Sequence, residues 1–135
     1  MSRIAVDTSA LLSMLLGEDD AEAIAAAIGD HDVLISAATL VETTVVIERK
    51  QGLAGTVALQ ELRDSLETEV VDFTLPQADL AAGAYRRFGK GVHPAGLNLG
   101  DCFSYALSSS AGAPLLFKGD DFSRTDLELV PVVRA

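Results

Sequence analysis

Short apolar runs alternate with helical segments along almost the whole sequence, and this alternation restricts the fold more than any other feature. A short apolar run that ends in turn residues is typical of a buried strand, whereas helices are marked by N-cap residues and closing glycines. Strands alternating with helices predict an α/β fold, a sandwich with a central, mostly parallel sheet between helices. We predict strands at residues 4–6, 33–35, 69–73, 114–117 and 129–133, and helices at 10–16, 18–28, 37–50, 56–67, 76–88 and 99–110.

The size and charge of the chain limit the class of protein. With 135 residues, the sequence has the length of one typical domain, so we expect a single domain over residues 1–135. There are 10 Lys and Arg residues against 20 Asp and Glu residues, which gives a formal net charge of −10. General binding to a phosphate backbone needs clustered cations, so something other than the net field must neutralise any phosphates that this protein meets.

Three features of the sequence favour the cytoplasm. The single cysteine, Cys102, cannot form an internal disulfide, which argues against secretion. The charged Asp7 arrives before an apolar segment can build up, so we expect no signal peptide. No long uncharged apolar stretch is present, so we also expect no membrane span.

Acidic residues lie beside the predicted strand ends, at the edge of a parallel sheet where ligands usually bind. Asp7 directly follows the first strand, and Glu42 lies in the opening turns of the helix after the second strand. Asp101 lies in the first turn of the helix before the fourth strand, and Asp120 and Asp121 follow that strand. We therefore expect these carboxylates to converge.

Converging carboxylates repel one another unless a proton or a cation lies among them. All-oxygen ligands suit Mg²⁺ or Mn²⁺ better than Zn²⁺, which prefers Cys and His. Such an ion attracts a phosphate and lowers the pKa of a bound water, which can then attack a phosphodiester. The sequence therefore predicts a divalent metal site that acts on phosphodiesters.

Most of these acids also have a plainer interpretation when each is taken alone. Asp7 is a good N-cap, Asp101 suits the dipole of a helix N-terminus, and Asp120 with Asp121 reads as a solvated turn. Glu42 is harder to explain, because it lies among apolar residues where an acid is seldom buried without a partner. The whole set at one predicted edge favours the metal site.

Four segments in this order resemble the PIN-domain ribonucleases, and among them the VapC toxins of bacterial toxin–antitoxin pairs. The segments are IAVDTSAL (residues 4–11), ATLVE (38–42), LNLGDCFSYA (97–106) and LLFKGDDF (115–122). The resemblance implies a PIN-like α/β/α sandwich. It also implies an endoribonuclease that depends on Mg²⁺ or Mn²⁺ and serves as the toxin of a type II pair.

The resemblance also implies roles for individual residues. Asp7 and Asp101 match the principal metal ligands of the family, and Glu42 matches a third acid that binds metal or orients the attacking water. Many PIN domains carry a fourth Asp three residues before the last Phe, where this chain has Gly119. We therefore expect Asp121 to supply the fourth carboxylate.

We also expect particular roles for the residues next to these acids. The side chain of Asp120 should point to water rather than to the site. Thr8 and Ser9 match polar positions that bind a carboxylate or a phosphate, and Asn98 has a similar role or serves only as a helix cap. Lys118 leaves the same strand end as Asp121, which makes it the best-placed basic residue to flank the site.

The resemblance implies partners as well as chemistry. A cognate VapB-type antitoxin would block the site, and the toxin would form a homodimer. The RNA substrate would be structured, typically tRNA or rRNA, and its products would carry a 5′-phosphate and a 3′-hydroxyl. No membrane contact is implied.

Two other functions remain open on the sequence alone. A receiver-like signalling domain has a similar length and an acidic Mg²⁺ pocket, but it needs paired acids after the first strand, where Asp7 stands alone. A catalytically weak PIN domain could act as a binding module, although Asp7, Glu42 and Asp101 are all intact.

Overall fold

The computed structural model describes residues 2–133 and contains a parallel sheet covered by helices. Strands β1 (Arg3–Val6), β2 (Asp32–Ser36), β3 (Glu69–Val71) and β4 (Leu115–Leu116) lie in the order β3-β2-β1-β4, and every neighbouring pair is parallel. The helices are α1 (Thr8–Leu16), α2 (Ala21–Ile28), α3 (Ala37–Gln51), α4 (Leu53–Ser65), α5 (Leu75–Phe88) and α6 (Leu99–Ala111). The predicted fold class is confirmed, and a single domain over residues 1–135 stays a prediction.

Alternate residues of each strand enter two separate apolar cores, one on each face of the sheet. Ala5 and Leu34 pack with side chains of α5 and α6. Ile4, Val33 and Ile35 pack instead with side chains of α1 and α2. Because both faces are buried, these strands read as continuous apolar runs rather than as an alternating pattern.

The starts of α2 and α4 each differ from the prediction by three residues, for local reasons. Gly17 takes a left-handed φ of 63° and ends α1, after which Glu18 lies in a turn and α2 begins at Ala21. Gly52 has a φ of 64° and separates α3 from α4, so that α4 begins at Leu53, before the predicted start. Glycine adopts this backbone region without steric cost, which is why both breaks occur there.

The strand predicted at residues 129–133 is wrong as a separate element. Leu129 makes an isolated parallel bridge to Leu115, with the Val130 N–H donating to the Leu115 carbonyl at 2.9 Å. β4 ends at Leu116 and therefore offers too short an edge for a longer ladder. Beyond it, the Lys118 N–H donates to the Ser9 hydroxyl and ties the loop to α1.

Candidate active site

Asp7 lies at the carboxyl end of β1, where its side chain caps α1 and also faces α6. Its Oδ2 accepts hydrogen bonds from the Ser9 N–H at 3.1 Å and from the Ser9 hydroxyl at 2.7 Å. Its Oδ1 accepts one from the Ser104 hydroxyl at 2.5 Å. The residue is only 3% exposed. The N-cap role and a place in the acidic cluster therefore apply to the same side chain.

Asp101 lies in the first turn of α6 and forms a reciprocal capping box with Asn98. Its Oδ2 accepts from the Asn98 N–H at 2.9 Å, and its own N–H donates to the Asn98 side chain at 2.8 Å. The pKa of Asp101 is raised to about 7, mainly by burial and further by the charges of Asp7, Asp121 and Glu42, against the lowering effect of the Asn98 N–H. The raised pKa therefore reflects mainly the burial of Asp101, with a smaller contribution from the three neighbouring carboxylates.

The raised pKa of Asp101 predicts how stability changes with pH when no metal is bound. The folded protein holds this proton up to a pH of about 7, whereas the unfolded chain releases it near 3.8. The free energy of unfolding should therefore fall as pH rises between these values and level off above them. We expect Tm in chelator to follow this course, and Asp101→Asn to show a shallower fall. Parallel pH curves for the two proteins would contradict the assignment.

Glu42 reaches the same region from α3, one helical turn after the buried Thr39. Its Oε1 accepts a hydrogen bond of 2.6 Å from the Thr8 hydroxyl, which lies 2.9 Å from the Thr43 hydroxyl. Burial raises the pKa of Glu42, the Thr8 hydrogen bond lowers it, and the charge of Asp7 raises it. The acid that stood out among apolar residues in the sequence is thus half-buried beside Asp7.

Asp120 and Asp121 lie in the turn after β4, and both are exposed. Asp121 begins a short 3-10 helix (Asp121–Arg124), and the neighbouring Phe122 is buried at 1% exposure. The charge of Asp121 contributes to the raised pKa of Asp101, so Asp121 lies within electrostatic range of Asp101. The structure therefore brings Asp7, Glu42, Asp101 and Asp121 into one electrostatic neighbourhood.

Ser104 belongs to the site, although the sequence analysis gave it no role. It is 1% exposed, and its hydroxyl holds Asp7 while lying 3.4 Å from the Thr39 hydroxyl. Its position one turn after Asp101 on α6 was the available signal, because residues three apart share a helix face. The expectation that Thr8 and Ser9 bind carboxylates agrees with their hydrogen bonds to Glu42 and Asp7.

The charged group of Lys118 does not face the acids as the sequence analysis expected. Its Nζ lies 2.9 Å from Glu18 Oε1 and 3.4 Å from Asp20 Oδ1, in the turn between α1 and α2. Only its backbone N–H serves the site, through the Ser9 hydroxyl that holds Asp7. The ammonium therefore neutralises a different pair of carboxylates.

A divalent cation such as Mg²⁺ needs several oxygen donors around it. Within residues 2–133, no group of three or more His, Cys, Asp or Glu side chains could hold a metal ion as it stands. The carboxylates present still fit Mg²⁺ or Mn²⁺ by chemistry, because Mg²⁺ commonly uses one or two protein carboxylates and keeps several waters, with substrate phosphates completing the shell. The raised pKa values of Glu42 and Asp101 point the same way, since a cation would relieve their repulsion.

The sequence matches the PIN domain over residues 4–128, so the chain belongs to the PIN-domain family. It is 48% identical to Ribonuclease VapC30 of Mycobacterium tuberculosis over 93% of this chain and 96% of that protein. It is 47% identical to Ribonuclease VapC of Mycolicibacterium smegmatis over 93% of this chain and 98% of that protein. Within the family it is thus an endoribonuclease of the VapC toxin group, which rules out the receiver-like alternative.

Solved structures agree with this fold. M. tuberculosis VapC20, described as a sarcin–ricin loop cleaving toxin, superposes with a TM-score of 0.76 at 22% identity and covers 95% of this chain and 99% of its own. VapBC2 of Rickettsia felis, bound to a promoter DNA fragment, has a TM-score of 0.74 at 12% identity over 95% and 96% of the two chains. At these identities the likeness establishes the fold alone.

Proposed function

We propose that this protein is the toxin of a type II toxin–antitoxin pair and hydrolyses RNA with Mg²⁺ or Mn²⁺ at Asp7, Glu42, Asp101 and Asp121. The observation that supports the proposal is that the charges of Asp7, Glu42 and Asp121 all act on the buried Asp101, in a chain that is 48% identical to a VapC ribonuclease. Ribonucleases of this group generally depend on a divalent metal. A bound divalent ion would also offset the repulsion between RNA phosphates and a protein with a net charge of −10.

Asp7 and Asp101 are the proposed principal ligands because both are buried and already oriented by hydrogen bonds. Ser9 and Ser104 fix the Asp7 carboxylate, and Asn98 fixes that of Asp101. These bonds leave lone pairs on the carboxylate oxygens for an ion. When bound, a divalent ion would neutralise a substrate phosphate and lower the pKa of a water molecule.

Glu42 is the proposed residue that takes the proton from the attacking water. Its pKa is raised by burial, and its carboxylate is held by the Thr8 hydroxyl. A general base works best when its pKa approaches the working pH. Attack of the water on phosphorus would form a new P–O bond and break the bond to the 3′-oxygen, which would take a proton from solvent to become a hydroxyl, with a 5′-phosphate left on the other fragment.

Glu42→Gln tests this role. The amide keeps the size of the side chain but cannot accept the proton as a carboxylate does, so we expect kcat to fall by about 10²–10⁴-fold. Glu48→Gln, an exposed position on the same helix, is the matched control and should keep full activity. Single-turnover cleavage of a defined RNA measures both, and equal rates for the two variants would remove Glu42 from the mechanism.

Asp121 is proposed as an outer ligand and Asp120 as a solvated residue. Asp121→Asn should weaken metal-dependent cleavage by about 10–100-fold, the usual range for residues that support a metal site from outside. Asp120→Asn is the adjacent control and should change the rate little. The two rates are best compared across a Mg²⁺ titration. The reverse order of activities would overturn this assignment.

Sequencing the RNA ends made by the purified protein tests the proposed function. Cellular RNA is incubated with Mg²⁺ and either the native chain or Asp7→Asn, prepared in the same way. Discrete sites with 5′-phosphates that appear only with the native chain support the proposal. Identical cuts in both samples indicate a contaminant. Binding without cuts supports the alternative of a PIN module that only binds.

The proposed function includes specific partners. We propose that the toxin binds a VapB-type antitoxin, forms a homodimer and cleaves a structured RNA, either tRNA or rRNA. VapC20 is described as a sarcin–ricin loop cleaving toxin, and the structural neighbours include a toxin–antitoxin complex and two VapBC structures, which supports these partners. The large apolar side chains of Val41, Val45, Leu53 and Val57 are exposed on α3 and α4. Co-purification with a neighbouring gene product and light scattering of the free toxin test the two protein partners.

The proposed location is the cytoplasm. No helix in the described part of the chain, residues 2–133, is long and apolar enough to cross a membrane. Fractionation of cells that express the tagged protein tests this proposal, and recovery outside the soluble cytoplasmic fraction would contradict it.

A further inference from the structure

The carboxylate of Glu42 lies directly against the backbone of Gly100 in the first turn of α6. A Cβ built on Gly100 would overlap Glu42 Oε2 and Cδ and would lie 2.7 Å from Oε1. Such separations are well below van der Waals contact. The carboxylate therefore occupies the space that a side chain at residue 100 would need.

The local backbone does not explain why this residue is glycine. Gly100 is absent from the glycines with positive φ in the described chain, so its helical conformation is open to alanine. Alanine is also more favourable than glycine inside a helix. The feature that demands glycine here is the approach of Glu42.

Other helical glycines differ from Gly100 in what an added Cβ would meet. Gly83 lies inside α5, and the nearest atom to an added Cβ there is a flexible Arg86 nitrogen at 4.0 Å. Gly55 lies in α4 against Ile47, a contact between two helices of the fold. Gly100 instead contacts a carboxylate and precedes Asp101 in the chain.

We propose that Gly100 is a positioning residue that seats the carboxylate of Glu42 between the Thr8 hydroxyl and α6. Thr8 holds Oε1 through its hydrogen bond, and the bare Cα of Gly100 leaves room for Oε2. In this position the charge of Glu42 is close enough to raise the pKa of Asp101. The inference rests on the proposed function, because Glu42 must take part in the reaction for its position to affect the rate.

The contact between Gly100 and the Glu42 carboxylate predicts that Gly100→Ala lowers kcat without unfolding the protein. The atoms that a new Cβ would strike are the far end of a flexible side chain, so in Gly100→Ala the carboxylate should swing away and release Thr8. The helix should remain intact. We expect kcat to fall by about 10²-fold, as for the loss of a general base, with KM for RNA within about twofold of the native value.

The experiment uses the full chain and four variants: Gly100→Ala, the control Gly83→Ala, Glu42→Ala, and the double variant Glu42→Ala/Gly100→Ala. Gly83→Ala should keep native kcat. Once the carboxylate is gone, adding Gly100→Ala should cost no further activity. In chelator, Gly100→Ala should raise Tm in the Glu42→Ala background, as Gly83→Ala should in the native chain, because alanine is more favourable than glycine inside a helix. When Glu42 is present, Gly100→Ala should raise Tm less or lower it.

Each outcome bears on the proposal. Native kcat in Gly100→Ala, or a further loss of activity on adding Gly100→Ala to Glu42→Ala, would overturn it. A Tm change from Gly100→Ala that is the same in both backgrounds would also overturn it. If Gly100→Ala fails to fold while the double variant folds, the clash with the carboxylate is supported, and if neither folds, the proposal fails.

The experiment distinguishes failure of the proposed function from failure of the positioning role of Gly100. Full activity of Glu42→Ala would remove Glu42 from the reaction, whereas the Tm comparison in chelator would still report whether Gly100 seats its carboxylate. A crystal structure of Gly100→Ala provides a direct check. Glu42 should be displaced and its hydrogen bond to Thr8 broken. A Glu42 carboxylate that stays in its native position would refute the proposal that Gly100 positions it.

Discussion

Asp7→Asn and Asp101→Asn are each expected to abolish RNA cleavage while the protein stays folded. Replacing residues that only support a metal site costs about 10–100-fold, so the loss of a principal ligand should exceed 10²-fold. Asparagine keeps the shape of both side chains. The amide oxygen in Asp101→Asn can still accept the hydrogen bond from the Asn98 N–H, and that in Asp7→Asn can still accept from Ser9. The change in charge should therefore dominate.

The same substitutions should stabilise the metal-free protein. The pKa of Asp101 is raised by burial and by the charges of Asp7, Asp121 and Glu42, so removing one charge relieves repulsion among the rest. Thermal unfolding in chelator measures this effect, and Asp79→Asn, on the exposed face of α5, is the neutral control. Full activity of Asp7→Asn or Asp101→Asn at saturating Mg²⁺ would refute that residue as a ligand.

Chelation of divalent ions is expected to abolish cleavage by the native chain, and Mg²⁺ or Mn²⁺ should restore it. Carboxylates that repel one another cannot hold a phosphodiester unaided, so activity without an ion should fall to background. A metal that binds only the folded state also stabilises it, by about 2.7 kcal/mol at a hundredfold excess over Kd. Tm should therefore rise across a millimolar Mg²⁺ titration.

Two controls make the chelation test decisive. Asp101→Asn, treated in parallel, reports any contaminating metal-independent ribonuclease, and its Tm should respond little to Mg²⁺. Cleavage by the native chain that continues undiminished in excess chelator, but not by Asp101→Asn, would refute the metal mechanism. A Tm that does not change with Mg²⁺ in the native chain would show that the acids do not bind the ion in the free toxin.

The sequence by itself determined the order of the elements and the local role of two acids. The buried strands are continuous apolar runs, which follows from burial on both faces of the sheet. Asp7 is the N-cap of α1 and bonds Ser9. Asp101 lies in the first turn of α6 and bonds the N-cap Asn98, so both interactions join residues within three positions along the chain. Interactions over so few residues depend on local backbone geometry, and a single sequence contains that information.

Only the tertiary structure decided which distant side chains surround these acids. Ser104 meets Asp7 across 97 positions of sequence, and Gly100 meets Glu42 between two helices. Lys118 has its backbone at the site but its ammonium paired with Glu18 and Asp20. Residue spacing gives the face of an element on which a side chain lies, whereas the way the helices pack on the sheet sets what that face meets.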